Sequence, residues 1–521
     1  MSHMPVCRLA ASGSTGAPRD RNADAGAGIA SAARAKRTGW SWRHAMVAAA
    51  VGALCSGCAS LAPQYDAPPS PVPDTWLDAV QGAQGQAASA LAWNDYFTDP
   101  MLKRLIQTAL DNNRDLRVAL LRVEEVRAAY QIQRADLFPQ VNAGAQGARA
   151  RIPGDLNPSG GPVTGGEYRA EIGVSSWELD LWGRVRNLNE AALQQWLATQ
   201  AGSRAARTAL IAQVADTYLN VRDMNERVAL ARRTVETRQE SFRIFNRRVE
   251  VGSTSRLDLM QVQTLLIQAQ TLLAQLEQAR AAQIHALGLL IGADPGPLPE
   301  AAPFDETLVL AELAPGLPSA LLTARPDIVA AEHRLIAAHA DIGAARAAFF
   351  PRIALTGSLG TASAELDGLF SSGSRAWTFA PVIALPLFDG GRRQANLELS
   401  EVRRHIAVAE YEQRIQTAFR EVSDALSARR WLTEQRDLQR AALTTSRERA
   451  RLAQLRYDNG SAAYLEVLDA QRVLLAAEQQ LVEARRALLS NQVALYAALG
   501  GGAQSNPEGA AAPALVPVSP R

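Results

Sequence analysis

"GSAAYLEVLDAQR", residues 460–472, opens on a glycine, takes a short polar step and reaches a leucine followed by two acids three residues apart. A looser copy, "GSTSRLDLMQVQ", stands upstream at 252–263. Gly460 falls on Gly252, Leu465 on Leu257 and Gln471 on Gln263, without a gap. Each glycine closes a long run free of proline, and glycine in that position is a helix stop. Each stretch therefore reads as a turn between two long helices. More of the chain repeats at a spacing of about 210 residues, too long for a solenoid unit and right for a duplicated domain. "ADLFPQV" at 135–141 matches "AAFFPRI" at 347–353, "LDLWGRVR" at 179–186 matches "LPLFDGGRR" at 385–393, and "LLIG" at 289–292 matches "AALG" at 497–500, in the same order.

Each copy has one reading. A helix comes first, over 100–136 and over 318–349, stopped by "LFP" and "FFP" because proline disfavours helix in the residue before it. Two strands follow. Ile353, Leu355 and Leu359 alternate with Ala354, Thr356 and Ser358, and Trp377, Phe379, Ile383, Leu385 and Leu387 alternate with smaller or polar partners. In the first copy Tyr168, Ala170, Ile172 and Val174 oppose Arg169 and Glu171. This period of two belongs to a sheet with two unlike faces. The strands are joined by "PGDLNPSGGPVTGG" and "AELDGLFSSGS", rich in turn formers. A long helix then runs over 186–250 and over 393–457, and a shorter one returns. A helix of about 65 residues is roughly 100 Å long, so the returning helix and the helix before the strands fit end to end beside it. Heptad columns mark the second returning helix: Leu474, Leu481, Leu488 and Leu495; Leu475, Val482, Leu489 and Tyr496; Ala470, Ala477, Ala484 and Ala498. So broad a seam packs on more than one neighbour.

Composition narrows the class. The 521 residues carry 54 basic and 52 acidic side chains, interspersed, which argues against a nucleic-acid binder. No apolar run approaches the roughly 18 residues of a membrane-spanning helix. The cysteines are Cys7, Cys55 and Cys58, so the bulk of the chain has no thiolate metal site and no internal disulfide. His333 and His339, six apart on one helix, do not share a face well enough to bind metal together. No Ser/His/Asp set or phosphate loop is present, and no cofactor is expected. At the amino terminus, "RAKRTGWSWRH" precedes the short apolar "AMVAAAVGAL" at 45–54 and then "CSGCAS". A basic region, a short apolar core and small residues make a secretory signal, here over 1–57. A proline-rich extended tether follows within 58–99.

Two hairpins give four strands of 10–14 residues, long enough to cross a bilayer when tilted. Four strands cannot close a barrel, and open edges are not viable in lipid. If they cross a membrane, several chains share one barrel, and helices of roughly 100 Å project into water.

In this plan, over residues 60–501, the chain resembles the TolC-type outer membrane efflux family. The resemblance rests on the "LFPQV" and "FFPRI" joints, on "LWGRVR" and "LFDGGRR", and on "YDNGSAAYLEVLDAQRVLLAAEQQLVEARRALLSNQVALYAALGGG". It is specifically similar to the lipoprotein branch, the OprM- and NodT-like components of multidrug pumps. That likeness implies a mainly α homotrimer with a shared twelve-stranded transmembrane β-barrel and a periplasmic helical barrel. It implies repeats at 100–292 and 318–500, an equatorial linker at 293–317 and a flexible tail at 501–521. An adaptor protein and an inner-membrane pump of the resistance-nodulation-division type would dock at the glycine turns. Ser56 and Gly57 before Cys58 resemble a lipobox, with Cys58 as the lipidated amino terminus and Ala59 after it implying the outer membrane. The protein is then a passive gated conduit for drugs or other small toxic compounds, not an enzyme.

By the same resemblance, Tyr457 lies where a linking tyrosine of the closed tunnel sits, and Asp258 where its partner acid sits. Glu466 and Asp469 lie where two acids ring the constriction, and like-charge repulsion in such a ring raises carboxyl pKa values. A linking arginine of the family is replaced by Ala462, with Arg256 or Arg472 as substitutes. The plain alternative is that Glu466 and Asp469 are solvated acids near a helix amino terminus. Two other readings of the whole remain open: a channel for exported proteins in a type I secretion system, and a soluble coiled-coil scaffold.

Overall fold

The computed structural model describes residues 60–76, 86–299, 309, 313–314, 316 and 318–502. In chain order the elements are β1 (Gln86–Ala87), α1 (Trp93–Tyr96), α2 (Pro100–Asn112), α3 (Arg114–Ala135), β2 (Val141–Ile152), β3 (Val163–Glu178), α4 (Arg184–Glu250) and α5 (Arg256–Ile291). The chain continues with β4 (Leu313–Ala314), which precedes the second repeat, and then α6 (Leu321–Ala324), α7 (Pro326–Ala347), β5 (Arg352–Ser363), β6 (Arg375–Ala384), α8 (Arg392–Asp458) and α9 (Tyr464–Ala498). The helices α4 and α8 have 67 residues each, so each spans roughly 100 Å. They set the height of the molecule, and the shorter helices stack beside them in two tiers. Near the sheet the order across the wall is α3, α4, α7, α8; toward the far end it is α5, α4, α9, α8.

The sequence reads as one helix over 100–136 and one over 318–349, but the structure breaks both, at equivalent places. Asn113 leaves the helical region at φ −60°, ψ 128°, and Arg325 does so at φ −91°, ψ 118°. Asn113 caps α3 by accepting from the Leu116 amide at 2.8 Å. Pro326 forces the second break by excluding helical backbone from Arg325. Each break makes room for the end of a returning helix. A Cβ on Gly292 would stand 2.7 Å from the Asn112 carbonyl, and one on Gly500 would stand 2.5 Å from that of Ala324. Both glycines have positive φ, where a side chain would add strain to the clash. The breaks also supply donors for orphaned carbonyls. Asn113 Nδ2 donates to Leu290 O at 2.8 Å, and the Arg325 guanidinium donates to Ala498 O at 3.1 Å.

The four long strands form one antiparallel sheet in the order β2-β3-β5-β6. The register collects the alternating residues on two faces. Val141, Ala143 and Ala145 align with Val174, Ile172 and Ala170; Ile172 aligns with Leu359, and Leu359 with Trp377. Phe379 and Ile383 extend this apolar face, while Leu385 and Leu387 lie past the end of β6. The opposite face carries Asn142, Gln146, Arg169, Glu171, Thr356, Ser358 and Thr378. There Ser358 Oγ donates to Glu171 at 2.8 Å and lies 2.8 Å from Thr378 Oγ1. A bulge in β3, with Ser176 at φ 52°, inserts one residue between the Val174 and Trp177 pairings. The extra residue keeps Trp177 opposite Leu355, on the apolar face.

Between the tiers lies the main core. Tyr96 stacks on Tyr496 with ring centroids 4.3 Å apart, and Phe97 packs edge-on to both. Stacked rings contribute about 0.5–1.5 kcal/mol beyond their buried area. Tyr96 Oη donates to Gln492 O and Tyr496 Oη to Leu91 O. β1 pairs in parallel with β4, and the Gly502 amide donates to Ala88 O, so the segment before the first repeat is woven into this belt. Residues 60–76 are extended, as their prolines dictate, yet pinned along the helices. Ser60 Oγ bonds Asn187 at 2.7 Å, Ala62 sits against Gly343, Tyr65 Oη donates to Glu332 at 3.1 Å, and Trp76 stacks on Phe419 at 4.9 Å. Among the described residues no helix is long and apolar enough to cross a membrane.

Candidate channel wall and periplasmic gate

The sheet presents what a bilayer requires of a strand pair. Ile172, Trp377 and Phe379 are 59 %, 72 % and 64 % exposed within one chain. Large side chains in one register on one face, with a hydrogen-bonded polar ladder on the other, suit lipid outside and water inside. The outer edges, β2 and β6, keep a free row of backbone donors and acceptors within the chain. Just below the sheet the strand-to-helix joints are fastened twice over. Asp180 accepts from the Arg186 amide at 2.8 Å and Asp389 from that of Arg393 at 3.2 Å. Trp182 stacks on Phe350 at 4.7 Å, and Glu178 bridges Arg184 and Arg352 at 2.7 and 2.8 Å.

At the other end of the wall, α4 and α8 stop in the same motif. Gly252 and Gly460 both have φ 72°. Ser253 donates to Arg248 O and Ser461 to Arg456 O, each at 2.8 Å, the outer bond of a left-handed helix cap. Beyond the caps the two tips differ. Asp258 belongs to a capping box: its carboxylate accepts from Ser255 Oγ at 2.6 Å and from Thr254 Oγ1 at 3.1 Å, and the Asp258 amide donates to Ser255 Oγ. These hydroxyl bonds hold the Asp258 carboxyl below the usual carboxylate range. Within one chain Asp258 does not meet Tyr457.

Tyr457 instead accepts from Arg248 Nη1, across the boundary between the repeats. The Arg248 guanidinium also lies 5.4 Å above the Phe245 ring and 5.8 Å above that of Tyr457. Tyr464 packs on Phe245 at 4.5 Å and on Tyr457 at 4.9 Å, and its hydroxyl donates to Ser241 Oγ at 2.7 Å. An aromatic cluster capped by one arginine thus joins hairpin α4/α5 to hairpin α8/α9 at the tip.

Glu466 and Asp469 do share one side of α9, but neither is bare. Arg456 donates to Glu466, and Asp469 accepts from Arg449 at 2.6 Å and Arg472 at 2.7 Å. The bonds from Arg449 and Arg472 hold the Asp469 carboxyl below the ordinary range. This reverses, within one chain, the rise that a ring of unpaired carboxylates would give. Sequence reasoning missed Arg248, Arg449 and Arg456. Repeat alignment carried a signal for two of them, since Arg248 and Arg456 hold the same position four residues before the glycine. Arg472, one of the two substitutes for the missing arginine, is engaged with Asp469. Cys58 lies outside the described residues.

A sheet with a lipid face, set on a helical wall of roughly 100 Å, defines a channel-forming outer membrane protein. The sequence profile of the family described as outer membrane efflux protein matches residues 105–293 and 317–501, and the chain belongs to that family. It is 45 % identical over 458 residues to outer membrane protein OprJ of Pseudomonas aeruginosa, covering 88 % of this chain and 95 % of that one. It is 44 % identical over 455 residues to the solvent efflux pump outer membrane protein SrpC of Pseudomonas putida, covering 86 % and 96 %. The open state of the Neisseria gonorrhoeae MtrE outer membrane channel superposes with a TM-score of 0.79 at 40 % identity, covering 86 % of this chain and 99 % of that one. The protein is therefore an outer membrane channel of the kind that serves tripartite efflux pumps with an adaptor and an inner-membrane pump. Its family is one of transport channels, not of enzymes.

Proposed function

We propose that three copies of this chain close head to tail into one gated conduit that carries small, largely apolar toxic compounds across the outer membrane. The observation that carries the reading is the matched pair of open edges. β2 ends one side of the sheet and β6 the other. The helical tiers repeat the pattern: Val118, Leu121 and Ile132 of α3, and Leu257, Met260 and Ile267 of α5, are exposed on one flank. Leu399, Val402, Ile406, Leu438 and Leu452 of α8 are exposed on the other. Unlike edges that fit each other generate a ring by rotation, and three sheets of four strands give the twelve-stranded barrel of the family. The exposed aromatics of the apolar face then meet lipid.

The cargo is inferred from the relatives, among them pump components named for solvent, toluene and antibiotic efflux. The driving partner is of the resistance-nodulation-division type, engaged through an adaptor at the tips around Gly252 and Gly460. Lipid on Cys58 anchors the chain. Residue 60 is bonded beside Asn187 in the first turns of α4, just below the sheet, and two further residues span at most roughly 7 Å. The acyl chains then enter the adjacent leaflet.

The gate is the aromatic latch, with Tyr457, Asp258, Glu466 and Asp469 at its rim. Recurring three times around the axis, Glu466 and Asp469 form rings of arginine-paired acids. Single-channel recording in planar bilayers tests this: Tyr457→Phe with Asp469→Ala raises conductance. Unchanged conductance and unchanged block by cations would refute the gate. Palmitate labelling that is equal in wild type and Cys58→Ser would refute the anchor. Solvent and drug susceptibility of a deletion strain, complemented beside each candidate pump, tests the cargo.

A further inference from the structure

The seam where α4 of the first repeat packs on α9 of the second buries two charges without a hydrogen-bonded partner of opposite sign. Asp223, on α4, is 1 % exposed, and neither carboxylate oxygen accepts a hydrogen bond. Arg227 Nη1, one turn along the same helix, stands 3.6 Å from Oδ2, close enough for an ion pair and too far for a hydrogen bond. That guanidinium is turned toward Glu483 of α9, at 2.8 Å. Arg486 of α9 is the other cation whose field reaches Asp223, and Glu483 opposes it with like charge. From α5 the packing is apolar, with Leu272, Leu273 and Leu276 against Met224, Val228 and Ala231. Further along α4, Arg238 is 4 % exposed, with Nη1 unpartnered and no carboxylate within ion-pair distance among the described residues. Fifteen residues of helix, roughly 22 Å, separate it from Asp223, so the two do not pair.

A buried charge without a hydrogen-bonded partner is costly. A seam built only to hold would not carry one of each sign. The same seam runs on to the tip, where Tyr464 of α9 packs on Phe245 of α4 beside the Arg248–Tyr457 latch, roughly 37 Å further down α4. Separation of the two hairpins at the tip has to loosen it. We propose that Asp223 is a proton-operated catch on the α4/α9 seam: protonated from periplasmic water it lets the seam pack shut, and ionised it favours the splayed arrangement in which the tip opens. The neutral carboxyl removes the like-charge conflict with Glu483 and leaves Arg227 to that acid alone. This rests on the reading that the tip opens by parting of the hairpins.

The direction of the titration agrees with the geometry. Burial raises the Asp223 carboxyl from the ordinary 3.8 to about 6, against the pull of Arg227 and Arg486 and with a push from Glu483. A carboxyl raised in the folded state lends stability that is fully present below its unfolded value and lost as pH rises through about 6. The closed seam is thus tightest in acid.

The test uses the full-length protein in detergent and in planar bilayers, as wild type and Asp223→Asn. The variant is expected to melt higher than wild type at about pH 7.5, with the gap roughly halved at about pH 5. Between those pH values the open fraction of wild-type channels falls about two- to tenfold, within the roughly hundredfold ceiling of a two-unit shift, and the variant stays at the low value throughout. A variant that melts no higher than wild type, or that keeps the wild-type pH response, overturns the catch. A melting difference without a conductance difference overturns the catch alone. Absence of channels from both proteins overturns the gate reading, and the catch with it.

Discussion

At the tip of the first repeat Asp258 folds back onto Ser255 and Thr254 and caps its own helix; at the tip of the second the equivalent acid, Glu466, reaches across the hairpin to Arg456. The backbones of the two turns match, down to the φ of 72° at Gly252 and Gly460. What differs is the residue before the returning helix. Ser255 offers a hydroxyl for a capping box, whereas Ala463 offers none and caps nothing. Glu466 is also one methylene longer, enough to span the hairpin. Arg248, the counterpart of Arg456, finds its own acid occupied and turns to Tyr457 of the other repeat. The link between repeats is thus a consequence of a local cap. A side chain that satisfies nearby backbone is withdrawn from longer-range bonding.

The two helix breaks differ in the same way. Asn113 closes its joint with neutral hydrogen bonds. Arg325, also buried, ties Ala498 O to Asp327 and Glu421 at 2.7 and 2.6 Å. Arg325→Ala strands two carboxylates and is expected to cost about 3–5 kcal/mol. Asn113→Ala loses a cap and one carbonyl donor, about 1–2 kcal/mol. Denaturant unfolding of both variants measures the gap, and equal costs would break the comparison. Ser255→Ala removes about 1 kcal/mol of capping and frees Asp258 to compete for Arg248. Faster amide exchange at the start of α5 and higher channel conductance are expected together; the first without the second would separate cap from latch. Ala463→Ser supplies the missing box and adds about 0.5–1 kcal/mol to the start of α9. It should also draw Glu466 away from Arg456, which a structure of the variant would reveal.

The smallest expected effect concerns pH. Asp258 and Asp469 are both held below the ordinary 3.8 by their partners. Their contribution to a closed tip is present above that value and is lost only as pH falls through their lowered range. In Asp223→Asn, conductance should therefore stay level from about pH 7 to about pH 4 and change only below. A wild-type-like response near pH 6 in that variant would show that the tip acids titrate there after all.

Much of the architecture was legible because it depends on local chemistry. Proline at 351 and glycine at 252 and 460 stop helices wherever they stand, and the alternation at 353–359 and 377–383 holds in any register that keeps one face apolar. The breaks at Asn113 and Arg325 were less legible. Nothing local in "DNNRD" ends a helix decisively, and Asn113 turns out of it to meet the end of α5. Pro326 did carry a signal, masked by the strong apolar periodicity on either side. The site divided likewise. Placing Glu466 and Asp469 on one helix side needs only their spacing. Naming Arg449 and Arg456 as their partners requires knowing that α8 lies antiparallel to α9 in one register.

From the sequence alone came the duplication, the order of the long elements, the two-faced strands and the glycine turns. Each of these is written in side-chain periodicity and in the backbone range of single residues. Only the tertiary structure decided that Arg248 pairs with Tyr457 and that Asp223 is sealed in a seam without a hydrogen bond. Those outcomes turn on distances of a few ångströms between segments about 200 residues apart, which no local pattern encodes.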